Sequence, residues 1–370
     1  MPLPNTSPLR LCVMPGDGIG PEITAATLAV LREADRLLQI GLAFEETSVG
    51  LGPLKAQGTT FPEAAFEAAK AADGVILGPV SHNDYPPADQ GGINPSGALR
   101  KRLDLFANIR PAKTRADFPP RCGKPVDLVI VRENTEGFYA DRNMFAGSGE
   151  FMPTPDLALA VRKITREGST RIVEEAFRLA MRRPRRHVTA VHKANVLRVS
   201  DGLFLECARA VAARYPQVRY EEKIIDAMAA LLVRDASQFD VIVTTNMFGD
   251  ILSDEASEIA GSLGLAESIN SGADHAMAQA QHGSAPDIAG QDKANPASLI
   301  GSAAMLLAWL GERHDDARLT RAAAAIEQAL DAVIAVPEWR TGDLGGPLGT
   351  QAFGARVAAA LEQCLKAPTR

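Results

Sequence analysis

A chain of 370 residues with 46% hydrophobic and 23% charged residues is long enough for an extensive core and has the composition of a globular protein. Its net charge of −6 argues against nucleic acid or an anionic membrane as the main partner, while leaving room for clustered arginines to bind a small anion locally. No stretch approaches the roughly 20 apolar residues of a membrane span, the four cysteines form no CxxC pair, and no leader pattern opens the chain, so a reducing, cytoplasmic location is expected.

The first predicted unit is LRLCVMPGDGIGPEITAATLAVLREA, a strand from Leu9 to Met14, a glycine turn and a helix after Pro21, which suits a first helical position. GDGIG at 16–20 is not the dinucleotide fingerprint, because GxGxxG needs glycine where Pro21 stands. GVILGP follows as a short apolar strand ending in Gly78 and Pro79, then VDLVIVREN at 126–134, HVTAVHKAN at 187–195 and FDVIVTTN at 239–246. RIVEEAFRLAMRR has apolar residues at three- and four-residue steps, and helical patterns fill about 298–311, 317–334 and 350–365. Strands alternating with helices predict an α/β protein with a largely parallel sheet. Segments 80–98, 141–156 and 265–297 read as long loops, a length that often signals function. The basic run MRRPRRH at 181–187 reads as a solvated helix end.

TTNMFGDILSDEASEIAG at 244–261 places Asp250 and Asp254 on one helical face, where like charges repel unless a cation lies between them. A plainer reading makes Asp250 a helix cap after Gly249. Arg100, Arg110 and Arg132 stand at the ends of apolar segments, and their planar forks suit carboxylates. Lys193 lies at the carboxyl end of a strand, where ligands gather in open α/β sheets. Asp226 adds a third carboxylate. An all-oxygen set suits Mg²⁺ or Mn²⁺ and argues against zinc.

PGDGIGPE, LRKRLDLFANIRP, VIVRENTEGFY, HKANVL, FDVIVTTNMFGDILSD and HGSAPDIAGQDKANP, in this order, resemble the β-decarboxylating dehydrogenases that act on isocitrate, homoisocitrate, 3-isopropylmalate, tartrate and D-malate. The resemblance runs from Pro15 to Phe353. It implies the isocitrate/isopropylmalate dehydrogenase-like α/β fold: a large cofactor-binding domain from 1–105 and 257–370 with a mostly parallel sheet, and a smaller α/β dimerisation domain from 106–256. Arg100, Arg110 and Arg132 would bind substrate carboxylates. Asp250 and Asp254 would hold Mg²⁺ or Mn²⁺ with Asp226 of the partner subunit. Lys193 of the partner subunit would be the general base and Tyr139 the general acid. His282, Gly283, Ser284, Ala285, Pro286, Asp287 and Ile288 would surround the adenosine half of the cofactor, with Asn295 near the adenine and Asn195 on the nicotinamide side. The resemblance therefore implies a homodimer with shared active sites and a small multi-carboxylate substrate.

Asp287 predicts NAD, since an acid near the ribose accepts from the 2′-OH and repels a 2′-phosphate. In the family, the 3-substituent of the substrate is read by the loop before the first arginine, here GGINPSGALR. Asn94 and Ser96 in that loop are polar, and no large apolar side chain stands beside them at Pro95 and Gly97. ENTEG at 133–137 resembles the isocitrate, homoisocitrate and tartrate or malate branches. The expectation is a (homo)isocitrate-like 3-substituted malate, with 3-isopropylmalate and tartrate or D-malate as alternatives. Some relatives are non-catalytic regulatory subunits that lose metal or base residues, whereas all the named positions are present here.

Overall fold

The computed structural model describes residues 8–366 except 116, 140–142 and 146. The inner strands of its parallel stretches bury both faces, which is why they read as unbroken apolar runs. In β1 (Leu9–Met14), Leu11 and Val13 pack into the core on one side, while Cys12 and Met14 enter the core on the other. β5 (Asp127–Glu133) and β10 (Val241–Thr244) alternate likewise, with Val129, Val131, Val241 and Val243 on one face and Leu128, Ile130 and Ile242 on the opposite one.

The remaining strands of the sheet are β2 (Leu42–Glu46), β3 (Gly74–Leu77), β4 (Ala107–Lys113), β8 (His187–His192), β9 (Arg219–Ile224), β11 (Ile269–Ser271) and β12 (Ala276–Gln279). Ten strands form one sheet in the order β2-β1-β3-β12-β11-β4-β5-β10-β8-β9. The two wings are parallel, and the centre, β12-β11-β4-β5, is antiparallel. Short β11 pairs only with Ala107–Ile109 of β4, so Pro111, which has no N–H to donate, lies beyond its reach.

Helices cover both faces. α1 (Gly20–Leu38), α9 (Ala297–His314), α10 (Ala317–Ala335) and α11 (Thr350–Lys366) pack on one side of the first wing, and α3 (Glu63–Ala71) and α4 (Pro95–Arg102) on the other, with α2 (Leu51–Gln57) beside them. α5 (Arg166–Arg182) and α6 (Ser200–Ala212) cover one face of the second wing, and α7 (Ile225–Asp235) and α8 (Asn246–Ala260) the opposite face. No described helix is long and apolar enough to cross a membrane.

The expected α/β class and largely parallel sheet hold, but two expected loops do not. Segment 265–297 contains β11 and β12, and 141–156 contains β6 (Glu150–Thr154), which pairs with β7 (Leu157–Ala160) in an exposed hairpin. These strands are short, and β11 carries Asn270 and Ser271, so neither gives a periodic apolar signal. The glycine turn is a junction of loops. At Gly16, φ is 76° and a Cβ would lie 2.2 Å from the Pro79 carbonyl oxygen. At Gly18, φ is 57° and a Cβ would lie 2.0 Å from that of Ser284.

Candidate active site

The antiparallel centre of the sheet turns a set of polar side chains to one face. Asn108 pairs across the ladder with Arg132 on one side and Asn270 on the other, and Arg110 follows Asn108 by two residues. α8 crosses above them. It begins at Asn246, so Asp250 lies inside the helix and is not its cap. Gly249 allows the close approach: a Cβ there would fall 2.6 Å from Arg132 Cγ.

Arg132 is 1% exposed. Its Nε and Nη2 donate to Asn246 Oδ1 at 2.9 and 2.7 Å, and its Nη1 donates to Asp250 Oδ1. Arg110, also buried, donates from Nη1 to Asp250 Oδ1 at 3.1 Å and to Ser253 Oγ at 2.8 Å, and it lies 3.6 Å from Asp254. Burial, reinforced by the charge of Arg132, lowers the Arg110 guanidinium to about 10, which leaves it a cation at neutral pH. Burial works against ionisation of Asp250, but Arg132 and Arg110 outweigh it and hold the carboxyl below its ordinary value. Asp254 is pushed up, first by burial, while Arg110 pulls it down. The Tyr139 hydroxyl donates to Asp250 Oδ2. Burial raises its pKa, Arg132 opposes the rise and the bond to Asp250 adds to it, so the phenol keeps its proton.

Arg110, Arg132, Tyr139 and Asp250 border a cleft of about 770 Å³ that also receives Asn94, which caps α4, Ser96 and Arg100 from α4, and Gln279 from β12. Asn94 caps α4 by accepting from the Gly97 N–H at 3.3 Å. Ser96 Oγ and Arg100 Nη2 both donate to Gln279 Oε1, at 2.9 and 3.0 Å.

Lys193 and Asp226 form a second cluster within the chain. Lys193 Nζ lies 2.6 Å from Asp226 Oδ1, and Asp226 opens α7. Neither residue lines the cleft, and Asn195, exposed two residues beyond Lys193, does not line it either. Among the described residues of one chain, no three His, Cys, Asp or Glu side chains gather to hold a metal ion. The chain alone thus offers a hard cation two carboxylates, Asp250 and Asp254, whose oxygens suit Mg²⁺ or Mn²⁺.

The loop after β12 borders the cleft and an adjoining cavity of about 240 Å³ that reaches Ile19, Ala285, Ile288, Asn295 and Asp343. His282 stands between the two. Its Nε2 is buried without a partner among the described residues, and burial lowers its pKa, so it is a neutral imidazole with a hydrogen-bonding nitrogen to spare. An orphaned polar atom at the junction of two cavities fits an occupant with nucleotide-like donors and acceptors. Pro286 and Asp287 are exposed, whereas Ser284 turns inward: its Oγ meets Ser81 Oγ at 2.7 Å and its carbonyl accepts from the Ile19 N–H at 2.8 Å. The side chain of Asn295 is held by the Ala297 N–H and by Asp343, both at 2.9 Å.

Sequence reasoning missed Asn108, Asn246, Ser253, Asn270, Gln279 and Gln281. Gln281 donates to Asp254 Oδ1 at 3.2 Å. The available signal was asparagine inside a strand, at 108 and 270, since a buried amide in a ladder needs a partner.

A family model described as "Isocitrate/isopropylmalate dehydrogenase" matches residues 10–357. A homoisocitrate dehydrogenase of Methanocaldococcus jannaschii is 39% identical over 97% of this chain and 99% of its own length. A 3-isopropylmalate dehydrogenase of Methanothermobacter thermautotrophicus is 40% identical over 96% and 99%. The crystal structure of an isocitrate dehydrogenase from Methylococcus capsulatus matches with a TM-score of 0.85 at 37% identity, covering 96% of this chain and 99% of that one.

Proposed function

Because this chain belongs to the isocitrate/isopropylmalate dehydrogenase family, we propose that it catalyses NAD-dependent oxidative decarboxylation of a (homo)isocitrate-like 3-substituted malate, as a homodimer whose two active sites are each built from both subunits. The observation that carries the reading is the buried Arg110–Arg132 pair, held on Asp250 beside the Tyr139 hydroxyl in an open cleft. Two buried guanidiniums are suited to substrate carboxylates. The separate Lys193–Asp226 cluster supports the shared site, since each chain then supplies a base and a third carboxylate to its neighbour.

In this scheme Arg100, Arg110 and Arg132 orient the substrate carboxylates. Asp250, Asp254 and Asp226 of the partner subunit would hold Mg²⁺ or Mn²⁺. The bound cation supplies Lewis-acid polarisation of the C2 oxygen, and bound NAD supplies the hydride acceptor. Lys193 of the partner subunit takes the hydroxyl proton as hydride leaves C2. The C3–carboxylate bond then breaks, CO₂ leaves, the bonding pair passes toward the C2 carbonyl as an enolate, and Tyr139, whose raised pKa keeps it protonated, delivers a proton to C3. Asp287 would accept from a ribose 2′-OH and repel a 2′-phosphate, which favours NAD over its 2′-phosphorylated form. Polar Asn94 and Ser96 with small Gly97 beside them favour an oxygen-bearing 3-substituent over a branched alkyl one.

The test is NAD reduction with Mn²⁺ across isocitrate, homoisocitrate, 3-isopropylmalate, tartrate and D-malate. Highest kcat/KM on isocitrate or homoisocitrate is expected. Preference for 3-isopropylmalate would overturn the substrate assignment. Cofactor binding with no turnover on any acid would overturn the enzyme reading.

A further inference from the structure

Beneath the cleft, a run of buried amides joins the two ends of the substrate pocket. Arg110 Nε donates to Asn108 Oδ1, and Asn108 Nδ2 donates to Asn270 Oδ1, which also accepts from Asn134 Nδ2 at 3.0 Å. Asn270 Nδ2 points on to both the Met277 carbonyl and Gln279 Oε1, each at 3.4 Å, and Ser96 and Arg100 also donate to Gln279 Oε1. Asn108 and Asn270 are fully buried, and Gln279 is 9% exposed.

The polarity of this run is forced. A guanidinium only donates, so the atom of Asn108 that meets Arg110 is its oxygen, and its NH₂ must face Asn270. The same logic orients Asn270 toward Gln279. From the far end, Arg100 independently demands an oxygen. Both ends therefore fix Gln279 with its carbonyl inward. Its NH₂ has no protein partner among the described residues, and the side chain borders the 770 Å³ cleft next to Ser96.

We propose that Gln279 is a substrate-specificity residue whose amide NH₂ donates to an oxygen of the substrate's 3-substituent, with the Asn108–Asn270 relay holding it in that orientation. The inference rests on the functional reading above and deepens it: a carboxylate-bearing substituent gains a donor that an isopropyl group would leave unsatisfied. A hydrogen bond to a charged group contributes enough for roughly a 10- to 100-fold change in affinity when it is lost.

Two near-isosteric variants test this. Gln279→Glu keeps an inward acceptor but turns a carboxylate oxygen toward the substrate. Gln279→Met removes both polar functions without adding charge. The measurements are KM and kcat for the preferred tricarboxylic acid, for D-malate, which has no 3-substituent, and for NAD, together with calorimetric binding of the acids with Mn²⁺ between pH about 4 and about 8, a span that includes the ordinary glutamate pKa of about 4.3. Both variants should lose at least about 10-fold in kcat/KM on the tricarboxylic acid relative to D-malate, with KM for NAD within about twofold. The Gln279→Glu binding defect, taken as a ratio to wild type, should shrink toward low pH. A purely structural role would lower activity on both acids equally and show no such pH dependence, and either result overturns the assignment. So does a rise in KM confined to NAD. Wild-type preference for 3-isopropylmalate refutes the functional reading and this inference together, whereas equal losses in an enzyme that prefers the tricarboxylic acid refute only the role of Gln279.

Discussion

Gly249→Ala isolates how closely α8 must approach the sheet. The new Cβ would fall 2.6 Å from Cγ and 2.7 Å from Cβ of Arg132. These atoms are near the backbone and cannot swing aside, so α8 must retreat by about 1 Å to restore ordinary carbon contacts. Overpacking of this kind typically costs about 1–3 kcal/mol, and alanine returns about 1 kcal/mol of helix propensity, so the net stability loss should be about 0–2 kcal/mol. Asp250 is the next residue and moves with the helix, away from Arg110, Arg132 and Tyr139. A misplacement of about 1 Å at a catalytic constellation costs on the order of 100-fold in rate. Gly202 is the control: it lies in the first turn of α6, and among the described residues no atom beyond its chain neighbours and its own helix backbone lies within 4 Å of the methyl that alanine would add there. Gly202→Ala should therefore stabilise by up to about 1 kcal/mol with activity unchanged. Thermal unfolding and kcat/KM on the preferred acid are measured for both. Gly249→Ala behaving like Gly202→Ala, more stable and fully active, would refute the argument that α8 positions Asp250 through this contact.

Three other predictions follow from the site. Co-expressed Asp226→Asn and Asp250→Asn chains, each nearly inactive alone, should recover up to about a quarter of wild-type activity, because random pairing makes about half the dimers mixed and each mixed dimer carries one intact site; mixed dimers with no recovery would sink the shared site. Asp287→Lys with Ile288→Tyr should shift the kcat/KM ratio toward the 2′-phosphorylated cofactor, and an unchanged ratio would show that this loop does not read the ribose. Asp250 has a folded-state pKa below its ordinary 3.8, so its stabilisation is complete above that value and lost as pH falls through the lower folded value; the stability gap between wild type and Asp250→Asn, followed by denaturant unfolding, should be widest near neutrality and narrow in acid, and a gap independent of pH would contradict the ion-pair account.

How much was readable in advance varied with the kind of signal. The parallel wings were readable because buried strands such as VIVT and HVTAV are apolar on both faces, and α9, α10 and α11 because their apolar residues recur at helical spacing. The antiparallel centre was not. Ile-Asn-Ser in β11 and Ala-Met-Ala-Gln in β12 are three and four residues long and take their strand geometry from neighbours far away in the chain. At the site, the charged residues stood out because arginine and aspartate at the ends of apolar segments are costly without a purpose. The amides between them did not, since Asn108 and Asn270 acquire meaning only when β4 and β11 bring them side by side. The inward turn of Ser284 was equally invisible, because it depends on contact with Ser81 and with the first turn of the chain.

That first turn has a consequence for protein engineering. Asp17 accepts from the Leu51 and Ser81 N–H groups at 2.8 and 3.0 Å and from the Tyr85 hydroxyl, while Gly18 lies against Ser284. Four segments remote in sequence thus share one small knot behind the 282–288 loop. Residues 282–288 are consequently not an independent cassette. A loop transplanted from another dehydrogenase would arrive with a backbone shaped for a different knot, and would need residues 16–20 and 79–85 transplanted with it to sit correctly.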